Sequence, residues 1–252
     1  MIDALAADWW LPLIMAPFIG SFLGVLVTRL PAGDAVVVGR SRCRWCGHVL
    51  GVLDLVPLLS WFATRRRCRY CGSPIGWFYP SIELAAIVVP AWAATEVGGW
   101  LLWASCALGW VLLTLAVIDA RHLLLPDVLT LPLLVAGLSV ARWIDGAALH
   151  EHAIGAVAGF AVFWLIARGY RFVRGREGLG MGDAKFLAAA GAWVSWQGLP
   201  SVVFIGAASA LALALIKIAV GATSAEAQKV PFGTYLCLGT WLVWLYGPVI
   251  VG

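Results

Sequence analysis

Apolar stretches of roughly 20 residues, the length a helix needs to cross a bilayer core, recur along the chain. Short polar breaks and one long polar insert separate them. The first span is predicted over residues 9–28, ending at Arg29. Residues 30–80 form the insert. From Ser81 to Ile118 the chain is apolar except at Glu96-Val97-Gly98-Gly99, a break that predicts a helical hairpin, out and back. Further spans are predicted at 123–140, 153–167, 184–196, 202–220 and 235–251, with polar connections at 142–152 and 221–230. That makes about eight helices, of which the sixth is short for a span. The expected fold is an all-α polytopic membrane protein. Residues 1–29 carry the first helix, 30–80 the insert and 81–252 a seven-helix membrane domain. Trp9, Trp10, Trp77, Trp100, Trp143 and Trp196 fall near predicted helix ends, where an amphipathic ring suits the membrane–water interface.

Composition agrees with this pattern. Of 252 residues, 62% are hydrophobic and 12% charged, against about 25% charged in a typical soluble domain. Mean hydropathy is +0.93. So much apolar surface excludes an ordinary water-soluble protein, and it excludes a disordered chain as well. Of 14 Arg, eight lie from Arg29 to Arg69 and four from Arg168 to Arg176. Arginines clustered beside spans mark the cytoplasmic side. The insert is therefore expected inside and the N-terminus, with Asp3 and Asp8 and no basic residue, outside. A cleavable signal would open on positive charge, so none is expected. The basic residues flank apolar spans instead of covering one solvated face, so no nucleic-acid partner is expected.

Acids beside membrane helices call for a reason. Asp119 closes the third span in AVIDARHLLLPD, and Asp183 opens the sixth in GLGMGDAK. Two crossings lead from the insert to Asp119, and two more lead to the second arginine cluster and Asp183. Both carboxylates are expected on the cytoplasmic side at similar depth. Two carboxyls in one partly dry site tend to share a proton. One can then activate a water while the other protonates a scissile carbonyl. Gly180 and Gly182 would let a peptide backbone approach as an extended strand. Asp127, just inside the fourth span, is expected to be structural or supporting, at a helix N-terminus. Lys185, two residues past Asp183, would not share its helix face. Solvent or lipid is its expected environment, with tuning of the aspartate as the other role. His122 is expected at the interface.

Cys43, Cys46, Cys68 and Cys71 are spaced C-x2-C-x21-C-x2-C, a pattern suited to a tetrahedral Zn2+. A cytoplasmic insert disfavours disulfides. A segment of about 50 residues has little core of its own, and a structural metal would supply the missing stability. Cys106 and Cys237, alone in spans, are expected to be packing residues, and His48 a solvated one.

In chain order, five segments resemble those of the bacterial type IV prepilin peptidases, GxGD-type intramembrane aspartic proteases. They are GSFLGVLVTRLP at 20–31, the paired CxxC insert with RRRCRYCG at 65–72 and YPSIEL at 79–84, AVIDARHLLLPDVLTLPLL at 116–134, GMGDAKFLAAAGAW at 180–193 and PFGTYL at 231–236. The resemblance runs over nearly the whole chain. It implies a multi-pass aspartic endopeptidase of the bacterial inner membrane, serving pilus or type II secretion machinery. Such an enzyme cuts the short basic leader of prepilins or pseudopilins at the cytoplasmic face, before a hydrophobic helix. The resemblance implies Asp119 and Asp183 as the catalytic pair. In many members it also implies N-methylation of the new terminus with S-adenosylmethionine. Glu83, at the cytoplasmic end of the second span, is a candidate contact for a basic leader, with an acid favoured at a helix N-terminus as the plainer account. The chain departs from the family pattern at Gly24, at Asp54-Leu55-Val56-Pro57 and at Thr234; the first two bear on methylation more than on proteolysis. A function of another class is also open to the sequence: a proton-coupled, metal-regulated transporter whose acids relay protons and whose insert senses zinc.

Overall fold

The computed structural model describes residues 9–36, 39–175, 180–220 and 230–249. Among these residues there are eight α-helices, and the only β pairing is two isolated bridges in the insert. The helices are α1 Trp10–Arg29, α2 Leu59–Ala63, α3 Phe78–Ala93, α4 Trp100–His122, α5 Asp127–Ile144, α6 Leu149–Arg174, α7 Met181–Ala219 and α8 Phe232–Tyr246. Five of them (α1, α4, α5, α6 and α7) are long and apolar enough to cross a membrane, and α3 and α8 are shorter apolar helices. The chain is thus the multi-pass all-α membrane protein its hydropathy predicts. All six tryptophans singled out above are exposed; five lie at or near helix ends, and Trp196 lies beside the bend of α7. The expected outer N-terminus, most of the loop 221–230 and the end of the last span lie outside the described residues.

The chain divides into two compact units, Met1–Thr114 and Leu115–Gly252, and the division falls inside α4. In the first unit α1 packs on α3 through small residues. A Cβ on Gly20 would stand 2.7 Å from the Glu83 Cα, and one on Gly24 would stand 3.0 Å from the Tyr79 ring. Helices that lack a hydrophobic drive to associate in lipid gain contact by such close approach. Trp110 of α4 adds a buried tie, its Nε1 donating to the Ala86 carbonyl at 2.9 Å.

In the second unit the same device recurs between α6 and α7. A Cβ on Gly155 would stand 2.7 Å from the Gly191 carbonyl, and one on Gly159 would collide with the Leu187 carbonyl. On α5, Gly137 leaves room for the Trp193 ring, whose Nε1 donates to the Leu133 carbonyl at 2.9 Å.

Helix α7 is two limbs, 181–194 and 196–219, joined at Ser195 (φ 60°, ψ −179°). Gly198, Val202 and Gly206 meet Val243, Gly239 and Leu236 of α8 in that order. The first limb leaves the end where α8 begins, and the second returns to it. The limbs therefore correspond to the predicted sixth and seventh spans. The first, about 21 Å long at 1.5 Å per residue, is shorter than a ~30 Å hydrocarbon core. Ser195 sits in a backbone region that side chains rarely adopt, which costs about 1–3 kcal/mol. Polar contacts hold it there. The Ser195 hydroxyl donates to the Gln197 side chain, Gln197 Nε2 donates to Glu151 Oε2 at 2.7 Å, and His152 Nδ1 lies 3.0 Å from the Ala192 carbonyl.

The α6–α7 seam yields a first prediction. Gly191→Val should destabilise the protein by at least ~1–3 kcal/mol through overpacking, lowering Tm in detergent. An unchanged Tm would show that the seam is looser than described.

Candidate active site and a four-cysteine cluster

Asp119 lies in the last turn of α4 and is 5% exposed. Its Oδ2 accepts the Thr234 N–H at 2.7 Å. The Thr234 hydroxyl lies 3.2 Å from the same oxygen and 2.9 Å from the Ala116 carbonyl. Thr234 is the third residue of α8, so Asp119 occupies that helix's N-terminus, where free N–H groups and the dipole favour an acid. The approach depends on Gly233, where a Cβ would stand 3.0 Å from the Asp119 carboxyl carbon.

Asp183 is the third residue of α7 and half-buried. Gly180 precedes the helix in an extended conformation (φ −72°, ψ 140°). Asp119 and Asp183 line one cavity of about 720 Å3. Gly180, Gly182, Asp127 and Lys185 line the same cavity. Six of the residues singled out in the sequence thus meet at one place, although they come from three helices and their connections. The remaining wall is apolar, with Leu123, Leu124, Leu125, Met181 and Phe232.

Lys185 is partly exposed and is also paired. Its Nζ lies 2.6 Å from Asp127 Oδ2. A flexible four-carbon stem carries the ammonium across the first turn of α7 to the start of α5. Both side chains are partly exposed, so the pair contributes at most ~1 kcal/mol to stability. It closes one side of the cavity. Between α4 and α5 the chain turns at Leu123 (φ 53°), whose N–H caps the Asp119 carbonyl at 2.9 Å. The turn drives Leu125 inward, 6% exposed, into the space that Gly182 and Gly233 leave open. His122 is exposed and lies outside the lining.

Glu83 belongs to the other unit and is 5% exposed. Its Oε2 accepts the Leu58 N–H at 2.8 Å, tying the insert to α3. A buried, occupied carboxylate offers a basic peptide little, so this geometry favours a structural task over leader contact.

In the insert, the four Sγ atoms of Cys43, Cys46, Cys68 and Cys71 all lie within 4.8 Å of one another. Zn–S bonds of about 2.3 Å set tetrahedral S···S edges at about 3.8 Å, and Cys43 and Cys71 stand 3.8 Å apart. Two matching turns build the cluster. Gly47 N–H donates to Cys43 O and Gly72 N–H to Cys68 O, at 3.0 and 2.9 Å. Cys43 N–H donates to His48 O and Cys68 N–H to Ser73 O, at 2.9 and 2.8 Å. Each turn closes on a glycine with positive φ, 69° at Gly47 and 72° at Gly72, which explains the glycine after each CxxC. The Ser73 hydroxyl and N–H beside Cys71 hold its thiol down, to about 6. The Cys46 and Trp45 N–H groups lower Cys43 as well. Such donors favour the thiolate form at Cys43 and Cys71. His48 stacks on Tyr70, ring centroids 3.6 Å apart, outside the cluster. Cys106 and Cys237 are buried and alone.

Sequence reasoning did not assign Gly233 and Leu125 to the site, and it treated Thr234 only as a departure within PFGTYL. That segment was the available signal. Its glycine and hydroxyl matter because they meet Asp119 from 115 residues away.

The family model described as the type IV leader peptidase family matches residues 106–215, and the bacterial peptidase A24 N-terminal domain matches 14–97. The chain is 37% identical to a protein named prepilin leader peptidase/N-methyltransferase from Aeromonas hydrophila, over 92% of this chain and 88% of that one. It is 39% identical to the protein of the same name from Burkholderia pseudomallei strain 1026b, over 90% and 82%. The corresponding protein of Pseudomonas aeruginosa is 34% identical, over 94% and 90%. No solved structure matches the chain.

The sulfur geometry predicts about one equivalent of a divalent metal in freshly purified protein. Cys68→Ser should lose most of it and lower Tm. Full metal content in that variant, measured by elemental analysis, would exclude the cluster as the site.

Proposed function

The chain belongs to the type IV leader peptidase family, and we propose that it is a membrane aspartic endopeptidase that removes the leader of type IV prepilins or pseudopilins. The cavity shared by Asp119 and Asp183 is the observation that carries this reading. One carboxylate takes a proton from a water, which attacks the scissile carbonyl. The other gives its proton to the carbonyl oxygen. As the tetrahedral diol collapses, the first carboxyl gives its proton to the departing amine while a diol hydroxyl returns one to the second, which restores the pair. Thr234 keeps Asp119 oriented through these exchanges. Gly180 and Gly182 leave room for the substrate backbone. The leucines of 123–125 and Phe232 offer an apolar wall to the hydrophobic segment that follows the cut.

In this reading the cavity and the insert face the cytoplasm across the bacterial inner membrane, and pilus or type II secretion pseudopilins are the substrates. The four cysteines would hold a structural Zn2+; with all four positions taken by sulfur, no position remains for water or substrate. The relatives' second activity would use S-adenosylmethionine as methyl donor. Asp54, an insert acid that could hold a ribose, is already engaged by the Gly51 N–H, the Tyr70 hydroxyl and Arg69. Methyl transfer has no assigned residues here. The relatives give a proton-coupled transporter no support.

Prepilin cleavage in proteoliposomes tests the reading. Asp119→Asn and Asp183→Asn should each lose ~10^3-fold or more, because an amide can neither hold nor pass the proton. Full activity in either variant would remove that residue from the pair. Thr234→Val keeps the N–H bond but removes the hydroxyl, and should lower kcat about tenfold with KM little changed. A raised KM at unchanged kcat would instead place Thr234 in substrate binding. Asp127→Asn should cost only a few-fold.

A further inference from the structure

The insert of the first unit carries large apolar side chains in the open. Leu59 and Phe62 of α2 are 69% and 66% exposed, Trp77 is 61% exposed, and Val52 is 82% exposed. Leu59 and Phe62 are three apart and share a helix side. Trp61, between them, faces the other way: it is 6% exposed, its Nε1 donates to the Ile75 carbonyl at 3.3 Å, and its ring lies 4.5 Å from that of Trp77.

The height of α2 follows from Glu83. The Leu58 N–H, just before α2, is bound to that carboxylate, and Glu83 stands in the second turn of α3. Helix α2 therefore begins beside a membrane helix, not beyond its end. Helix α3 has 16 residues, about 24 Å, which falls short of a ~30 Å hydrocarbon core. If α3 spans, lipid must reach past its first turn, to the level of Trp77 and α2.

Charge supplies the second half. Arg65, Arg66 and Arg67 follow α2 directly and are exposed. The Arg66 guanidinium lies 5.9 Å from the Trp61 ring centroid and 5.8 Å from that of Trp77, an arrangement that holds a cation at an aromatic belt. The insert as a whole has seven Arg against Asp34 and Asp54.

We propose that α2 lies in the headgroup–acyl boundary of the bilayer, with Leu59 and Phe62 in lipid and Arg65, Arg66 and Arg67 on the phosphates of anionic phospholipids. Clustered arginines beside a span are attracted to an anionic leaflet. A basic peptide would be repelled by them, and free phosphate would leave the apolar side chains in water. The insert is then laid against the membrane, and does not stand off it as a solvated knob.

Hydrogen exchange of the full-length protein in nanodiscs tests this without any cleavage assay, so its outcome is independent of the peptidase reading. Discs would contain phosphatidylcholine alone or with phosphatidylglycerol. Amides of 59–67 should exchange about tenfold more slowly with phosphatidylglycerol present. Arg65→Gln/Arg66→Gln/Arg67→Gln should abolish that difference while leaving exchange in α3 and in both cysteine turns unchanged. Inorganic phosphate added to phosphatidylcholine discs should have no effect. Phe62→Ser should speed exchange in both discs, and with the cysteine turns unchanged this locates the loss in α2. Equal exchange in the two discs would overturn the proposal. So would protection reproduced by phosphate, or protection that grows with protein concentration, the mark of a second copy on the same face.

Discussion

A carboxylate on an apolar helix needs polar partners, and Asp119 finds them only because residue 233 has no side chain. With Gly233 there, the carboxylate reaches the first turn of α8 and accepts the Thr234 N–H at 2.7 Å. Leu125 packs against the same glycine and against Gly182, next to Asp183. One small gap therefore sets the position of the first acid, the wedge beside it and the start of the helix bearing the second.

The glycine seams extend this constraint through the second unit. Gly155 and Gly159 of α6 fix the height of the first limb of α7, and so of Asp183 at its foot. The turn at Ser195 sends the second limb back along α8, the helix that carries Thr234. Asp183 and the donor to Asp119 thus belong to one packed assembly. Its strained turn is held by Gln197 and Glu151 at the end away from the acids. Close backbone approach does in this membrane protein what a hydrophobic core does in water.

Much of this was legible in sequence because membrane crossing is a parity rule. Hydropathy located the spans, and counting crossings placed Asp119 and Asp183 on one side. The cysteine spacing foretold the cluster, since CxxCG can close only a few turns. Other features depend on meetings between distant segments. The break between the sixth and seventh spans was legible near Gln197, Gly198 and Pro200, but its place at Ser195 was not, because packing on α6 and α8 selects that backbone. Lys185 read as a free cation because its partner, Asp127, lies 58 residues away. The tie from Glu83 to the insert was not legible because the Leu58 amide it accepts comes from a loop. Periodicity along one helix cannot report what arrives from another.

The meeting of Asp119 and Asp183 is tested most directly by chemistry at those two positions. Cys106 and Cys237 would be replaced by Ala, and Asp119 and Asp183 by Cys, in protein whose cluster keeps its metal. A short bifunctional thiol reagent should then yield, after digestion, a peptide linking 119 to 183 within one chain. Absence of that link, with both cysteines still reacting with a monofunctional reagent, would contradict a shared site.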